Sequence, residues 1–354
     1  MPRRPDSCST TGQARVAPVS VRQGSRELHE CGVWWAESLG RSTAVALDSK
    51  VWPTLSFAEW KETHDTLHMW MQIVGKTRLA LAPRENHWWH VPLYVTARGL
   101  STSPIPYRSL AFEVHFDLIE HRLIINTSDG ATRNIALRPQ AVADFYRQYL
   151  DALESLGISV KMWPVPVEVD APIPFVDDRR HVSYEADQAR RFFHMLLHAN
   201  RVLARFKGRF LGKSSPVHFF WGAFDLALTR FSGRRAPEPE ESAGAMLREA
   251  MSHEEISFGF WPGSGTVAEP AFYAYARPEP SGLPTMSVRP TSAYYSRELA
   301  DFILPYESIR SLASPDDVVL DFFQSVYDAA ADLARWDRAA LDRPPAEWLP
   351  SCKN

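Results

Sequence analysis

Residues 163–174 read WPVPVEVDAPIP, and this segment decides how the chain is divided. Its four prolines restrict φ and remove backbone donors, so the segment is predicted to be an extended connector without helix. On either side lie two α+β halves, residues 49–162 and 175–340, followed by a C-terminal tail at 341–354. Residues 1–48 are rich in Ser, Arg, Gly and Thr without a clear period, which is typical of a flexible tail.

The half before the connector begins with a helix signal. Ser56 and Glu59 have the spacing of a capping box, which predicts a helix through about Ile73. Apolar and polar residues then alternate from 87 to 97, and this pattern predicts a half-buried strand opened by His87. The remaining predicted elements are strands at 112–118, 123–125 and 132–137 and a helix that starts at Pro139 and is terminated by Gly157.

The half after the connector repeats this order. The predicted elements are a helix at 185–206, strands at 218–228, 255–260 and 271–276, and a helix from about Ser314. LHMW at 67–70 is placed like FHML at 193–196, and HWWH at 87–90 is placed like HFFW at 218–221. We therefore predict an α+β fold of two similar helix-strand-strand-helix halves, an internal duplication with antiparallel sheet. The alternative is that two ordinary α+β segments share common residue types.

Composition limits the class of protein. The formal net charge of -3 gives no overall positive field, so nucleic-acid binding is not indicated. No apolar run approaches the roughly 20 residues of a membrane span, and the N-terminus lacks a secretory h-region. Three cysteines, Cys8, Cys31 and Cys352, lie near the ends, which argues against a disulfide framework. A soluble, cytoplasmic protein without membrane contact is expected.

Three residues are candidate catalytic groups. Asp225 lies among aromatic neighbours, on the face of the predicted 218–228 strand opposite His218, and burial would raise its pKa into the range of a general acid or base. His218 opens that strand, and His253 precedes two glutamates. Each has a structural alternative: a histidine that caps a carbonyl, or a hydrogen-bonded aspartate.

Aromatic and basic residues near predicted strand ends are candidate ligand contacts. Arg recognises carboxylate or phosphate, and aromatic rings stack on ring-shaped ligands, although they also fill ordinary cores. The predicted ligand-binding set is His87, Trp88, Arg98, Trp221, Arg230 and Trp261. An anionic or ring-containing small molecule is the expected ligand.

Metal and nucleotide motifs are weak. His68 and His194 occupy matching places in the two halves, and each has a second histidine four residues away on the same helix face. Neither has the glutamate of an HExxH motif, so they are only candidate metal ligands and no cofactor is defined. GRFLGKS at 208–214 is one residue short of a Walker A loop and lies between a helix and a strand, which excludes that motif.

Several motifs together carry a resemblance. They are TLHMW at 66–70, NHWWH at 86–90, SPVHFFWG at 215–222 and GFWPG at 259–263. Over about residues 50–340 the chain resembles a bacterial family of uncharacterised proteins, defined as a domain of unknown function. The resemblance implies a soluble bacterial protein and lends no catalytic residue, since no activity is established for the family.

Three functions fit these observations. The first is a small-molecule enzyme with a pocket of His, Asp, Arg and aromatic residues. The second is a non-catalytic binding protein for an anionic or ring-containing metabolite. The third is a structural or interaction protein in which the motifs pack the two halves.

Overall fold

The computed structural model describes residues 52–238, 244–264, 267–345 and 348. The predicted tail at 1–48, the three cysteines and most of the C-terminal tail lie outside these residues. The described residues belong to one compact unit.

The helices are amphipathic or buried segments with identifiable ends. They are α1 Phe57–Leu81, α2 Val142–Ser155, α3 Ala186–Lys207, α4 Ala245–Ala250, α5 Pro315–Leu333 and α6 Arg338–Leu341. Helix α1 starts as predicted, because the Ser56 hydroxyl accepts a hydrogen bond from the Glu59 N–H at 3.4 Å. It ends at Leu81 and not near Ile73, since residues 74–78 are still buried in the core and tertiary packing extends the helix. Gly157, with φ of 72°, follows α2 as predicted, whereas Pro139 precedes that helix.

The first half contains an antiparallel sheet. Its strands are β1 Tyr94–Thr96, β2 Gly99–Ser101, β3 Ile105–Tyr107, β4 Leu110–Asp117, β5 Arg122–Thr127 and β6 Thr132–Ala136. The order is β1-β2-β4-β5-β6, and β3 pairs with β4 beside β2. The predicted strand over 87–97 is wrong for most of its length. Asn86–Trp88 is a 3-10 turn in which His87 and Trp88 have φ of 56° and 61°, and left-handed residues cannot continue a strand.

The second half contains another antiparallel sheet. Its strands are β7 His218–Phe220, β8 Asp225–Arg235, β9 His253–Trp261, β10 Ala271–Arg277, β11 Tyr294–Ser296 and β12 Asp301–Pro305, in the order β7-β8-β9-β10-β12-β11. The predicted continuous strand 218–228 is wrong. It is a hairpin whose turn includes Phe224, with φ of 63°, and this reversal changes which side chains share a face.

A backbone bridge joins the two sheets. The Leu93 N–H donates to the Phe219 carbonyl at 2.9 Å, and the Phe219 N–H donates to the Leu93 carbonyl at 2.8 Å. Hydrogen bonding therefore continues from the segment before β1 to β7.

Helices cover one face of the second sheet. The ring of Phe206 in α3 lies 4.8 Å from that of Phe258 in β9, and Phe323 in α5 lies 5.5 Å from Phe258. Such ring pairs contribute about 0.5–1.5 kcal/mol each beyond the burial of their area. In the first half, Trp70 in α1 stacks at 4.8 Å on Phe145 in α2. The opposite face of the second sheet carries polar side chains.

The α+β class with antiparallel sheets is confirmed. Each half runs helix, antiparallel strands, helix, but only the first sheet has an extra strand beside its main order. Internal duplication stays a prediction. None of the helices in the described part of the chain is both long and apolar enough to cross a membrane.

Candidate functional site

The hairpin places His218 and Asp225 on the same sheet face. His218 pairs with Ala227, and Phe220 pairs with Asp225. Paired residues share a face, as do residues two apart on one strand, so all four side chains lie on the side away from α3 and α5. The sequence-based placement of Asp225 opposite His218 is thus corrected, because it assumed a continuous strand.

A row of side chains on β10 crosses this face. Tyr273 and Tyr275 are stacked, with ring centres 6.1 Å apart and planes 9° apart. The guanidinium carbon of Arg277 lies 4.6 Å from the centre of the Tyr275 ring. Gly259 pairs with Tyr273, and a Cβ at this glycine would overlap the Tyr273 ring and hydroxyl. The missing side chain lets Tyr273 lie across β9 and reach Asp225 on β8.

Asp225 and Tyr273 form a hydrogen-bonded pair at the centre of the site. The Tyr273 hydroxyl donates to Asp225 Oδ2. Burial raises the pKa of Asp225 to about 7, the Tyr273 hydrogen bond lowers it, and the charge of Glu168 raises it. Burial also raises the pKa of Tyr273, so that hydroxyl stays protonated. The carboxyl group can therefore gain or lose a proton near neutral pH.

The connector supplies Glu168 to the same place. A Cβ at Gly222 would overlap Glu168 Oε1, so this carboxyl group lies against the β7–β8 turn. The neighbouring Val167 is held by α1: its N–H donates to Gln72 Oε1 at 2.8 Å, and Gln72 Nε2 donates to its carbonyl at 2.7 Å. Partial removal from water raises the pKa of Glu168, although the residue as a whole is exposed.

Two further carboxyl groups line the face near Arg277. Glu255 is only 6% exposed, and its burial raises its pKa to about 8 against the opposing charge of Arg277. Asp301 Oδ1 lies 3.6 Å from Arg277 Nη2, and burial raises the pKa of Asp301 to about 6. The face therefore carries an excess of carboxyl groups over basic groups.

His253 and His87 belong to a different place on the molecule. Their rings are 5.4 Å apart. His87 Nδ1 is 2.8 Å from the Ala250 carbonyl and its Nε2 is 2.9 Å from Lys213 Nζ, which fits a neutral ring that donates through Nδ1 and accepts from Lys213. Asp225 lies at the Trp261 end of β9, because Leu226 pairs with Phe260. His253 is eight residues away, roughly 26 Å along the strand, so the structure does not bring His253 and Asp225 together.

Arg230 and Arg98 also lie apart from Asp225. Arg230 faces the helices, donates to the Phe206 carbonyl, and has its guanidinium carbon 3.6 Å from the Phe206 ring centre and 4.6 Å from that of Tyr327. Burial lowers its pKa to about 9. Arg98, in the β1–β2 turn, donates to Asp117 Oδ2 at 2.8 Å. Both guanidinium groups are already engaged within the fold.

The three predicted tryptophans are dispersed. Trp221 is buried, and its Nε1 donates to the Val91 carbonyl at 2.8 Å. Trp88 packs its ring 5.3 Å from that of His90. Trp261, at the end of β9, lies beside the position of Asp225.

The candidate metal ligands lie on separate helices. His68 in α1 has Nε2 at 3.0 Å and 2.9 Å from the carbonyl oxygens of Trp221 and Gly222, and burial lowers its pKa to about 3. His194 in α3 lies with its ring 5.6 Å from Phe193. Among the residues that the structure describes, no group of three or more His, Cys, Asp or Glu side chains is placed to hold a metal ion. The His68 nitrogen nearest the hairpin is occupied by backbone carbonyls.

Sequence reasoning missed most partners of Asp225. Tyr273, Tyr275 and Arg277 alternate along a predicted strand, so their common face was readable from the spacing. Their approach to Asp225 was not readable, and neither was that of Glu168 from the connector.

The chain belongs to the family of unknown function DUF5996, whose model matches residues 52–343. This match covers both halves and the connector, and it confirms the resemblance noted from the motifs. No curated protein and no solved structure matches the chain. The family brings no activity with it, so a function has to be argued from the side chains on the second sheet.

Proposed function

We propose that this protein is a small-molecule enzyme in which Asp225 acts as a general acid or base. The observation that carries the proposal is the partly exposed Asp225–Tyr273 pair on the face of the second sheet that points away from α3 and α5. Acid-base catalysis is most effective when the pKa of the group lies near the working pH, and the pKa of Asp225 is raised to about 7.

Tyr273 and Glu168 have supporting roles. Tyr273 is a positioning residue: its hydroxyl stabilises the ionised carboxylate of Asp225 and fixes its direction. Glu168 acts in the opposite sense, because its negative charge favours the protonated carboxyl. Together they keep both protonation states accessible at neutral pH.

The charge of this face indicates the kind of substrate. Glu168, Glu255 and Asp301 surround the tyrosine row, with Arg277 as the basic partner. A neutral or cationic molecule with a ring or apolar part suits such a surface, since the carboxyl groups accept hydrogen bonds, those that are ionised attract a cation, and the aromatic rings offer stacking area.

The test is a screen of neutral and cationic metabolites against the full chain. Compounds that raise the melting temperature are then assayed for turnover with wild type, Asp225→Asn and Asp129→Asn. Asp129 lies in an exposed turn of the first sheet, which makes it a matched control. We expect Asp225→Asn to lower kcat by about 100-fold or more and Asp129→Asn to leave kcat unchanged.

Two outcomes decide against this assignment. Turnover that survives in Asp225→Asn shows that another group transfers the proton. Binding without turnover in wild type selects the alternative function, a non-catalytic binding protein for a ring-containing metabolite. A bacterial source and a cytoplasmic location stay predictions from the sequence.

A further inference from the structure

His218 is a buried histidine without a hydrogen-bond partner. The residue is 1% exposed, and both ring nitrogens are buried with no partner among the residues that the structure describes. A neutral imidazole has one donor and one acceptor nitrogen, and buried polar groups in folded proteins are almost always hydrogen-bonded. Its three aromatic neighbours explain its packing but satisfy neither nitrogen; they are Trp89, Tyr94 and Phe220.

The charges of Arg78 and Lys207 both act on this imidazole. The Tyr94 ring lies 5.6 Å from His218, and the Arg78 guanidinium carbon lies 5.3 Å from the Tyr94 ring. Arg78 is buried, donates through one terminal nitrogen to the Thr102 carbonyl, and has no partner for Nε within the described ranges. Lys207, the last residue of α3, is the second cation. Burial, together with the charges of Arg78 and Lys207, lowers the pKa of His218 to about 3.

This cluster contrasts with the acidic face beside it. Glu85, an exposed residue, is the acidic side chain whose charge acts on Arg78. Tyr94 and Lys207 are both partly exposed, so the cluster is not sealed from solvent. The cluster lies where the two sheets meet, next to the Leu93 and Phe219 bridge.

We infer that Arg78, His218 and Lys207 form a binding site for a small oxyanion group, a phosphate or a carboxylate, at the junction of the two sheets. The planar guanidinium and an imidazole N–H donate to oxyanion oxygens, and the lysine adds a point charge. An anion there supplies the acceptor that the His218 N–H lacks and neutralises the buried Arg78 guanidinium and the partly exposed Lys207 ammonium group. The inference does not depend on the role of Asp225.

The experiment titrates the full chain with inorganic phosphate, sulfate or acetate at constant ionic strength. Binding is followed by the melting temperature and by the imidazole nitrogen resonances of His218, which His218→Gln assigns. We expect phosphate to shift those resonances, and Arg78→Gln and Lys207→Gln each to weaken its affinity about tenfold or more. Lys161→Gln, which alters an exposed lysine, is the control and should bind phosphate like wild type.

Arg78→Gln and Lys207→Gln differ in their risk of unfolding the protein. Arg78→Gln loses the hydrogen bond to the Thr102 carbonyl and can unfold the protein. Lys207 is the partly exposed last residue of a helix, so Lys207→Gln should remain folded and tests the site even if Arg78→Gln does not fold. A stronger response to acetate than to phosphate assigns a carboxylate ligand. His218 resonances that respond to none of the three anions overturn the inference, as does equal weakening in Lys161→Gln. A phosphate response that is unchanged in Asp225→Asn would show that this anion site is independent of the proposed acid-base role of Asp225.

Discussion

Replacing Asp225 by asparagine should change how the stability of the protein depends on pH. In the folded protein the pKa of Asp225 is raised to about 7, compared with the ordinary value of 3.8 for an aspartate. A raised pKa means that the folded state binds the proton more tightly than the unfolded state. The resulting stabilisation is complete below the unfolded pKa and is lost as the pH rises through about 7.

The size of the effect follows from the two pKa values. One pKa unit corresponds to about 1.36 kcal/mol, so the interval from 3.8 to about 7 corresponds to about 4 kcal/mol. This value is an upper bound, because Asp225 is partly exposed and its charge is coupled to that of Glu168. Asparagine accepts the Tyr273 hydrogen bond without ionising, so Asp225→Asn removes only the titration.

The measurement is urea unfolding of wild type and Asp225→Asn from about pH 4 to about pH 8. The free energy of unfolding of wild type minus that of the variant should fall with pH by as much as about 4 kcal/mol. Asp129→Asn should show almost no change over this range, because hydrogen bonds from Thr127 and the Ala131 N–H lower the pKa of Asp129, so that this group titrates below about pH 4. A difference for Asp225→Asn that is flat, or that increases with pH, refutes the raised pKa.

Three further substitutions and one control test the residues around Asp225. Tyr273→Phe should raise the pKa of Asp225, since the Tyr273 hydroxyl stabilises the ionised form. This pKa is measured by following the carboxyl carbon resonance of Asp225 with pH. An unchanged or lower pKa would contradict the hydrogen bond between the two residues. Glu168→Gln should lower the pKa of Asp225 in the same measurement. A rise would show that the charge of Glu168 does not favour the protonated form of Asp225. Gly259→Ala should destabilise the fold by about 1–3 kcal/mol in chemical unfolding, because its Cβ overlaps Tyr273. Gly244→Ala, with no atom within 4 Å of the new Cβ, should stay within about 0.5 kcal/mol of wild type, and equal losses would contradict the clash.

Elements with a clear local signal were predicted closely. Helix α3 was predicted over 185–206 and spans Ala186–Lys207, and β10 was predicted over 271–276 and spans Ala271–Arg277. In both, the period of the apolar residues is undisturbed from end to end. The strand predicted over 87–97 failed because alternating residue types also occur in an irregular segment that packs against a sheet.

The candidate site was predicted only in part. Asp225 was singled out for its aromatic neighbours, and its raised pKa has the direction expected for a buried carboxyl group. Its hydrogen-bond partner Tyr273 is 48 residues further along the chain, and Glu168 comes from the connector. Arg230 looked like a ligand contact from its place near a strand end, yet it faces the helices. One residue of register separates the two faces of a strand, and composition does not specify that register.

Local sequence was sufficient for the α+β class, for the cap that begins α1 and for the span of α3, because these depend on residues within a few positions of one another. Which side chains share a face of the second sheet was decided by tertiary contacts. The β7–β8 turn moved Asp225 to the side of His218, and the absence of a side chain at Gly259 let Tyr273 cross to it. The protonation of these groups depends on burial and on charges brought from distant segments, and such an environment exists only once the chain has folded.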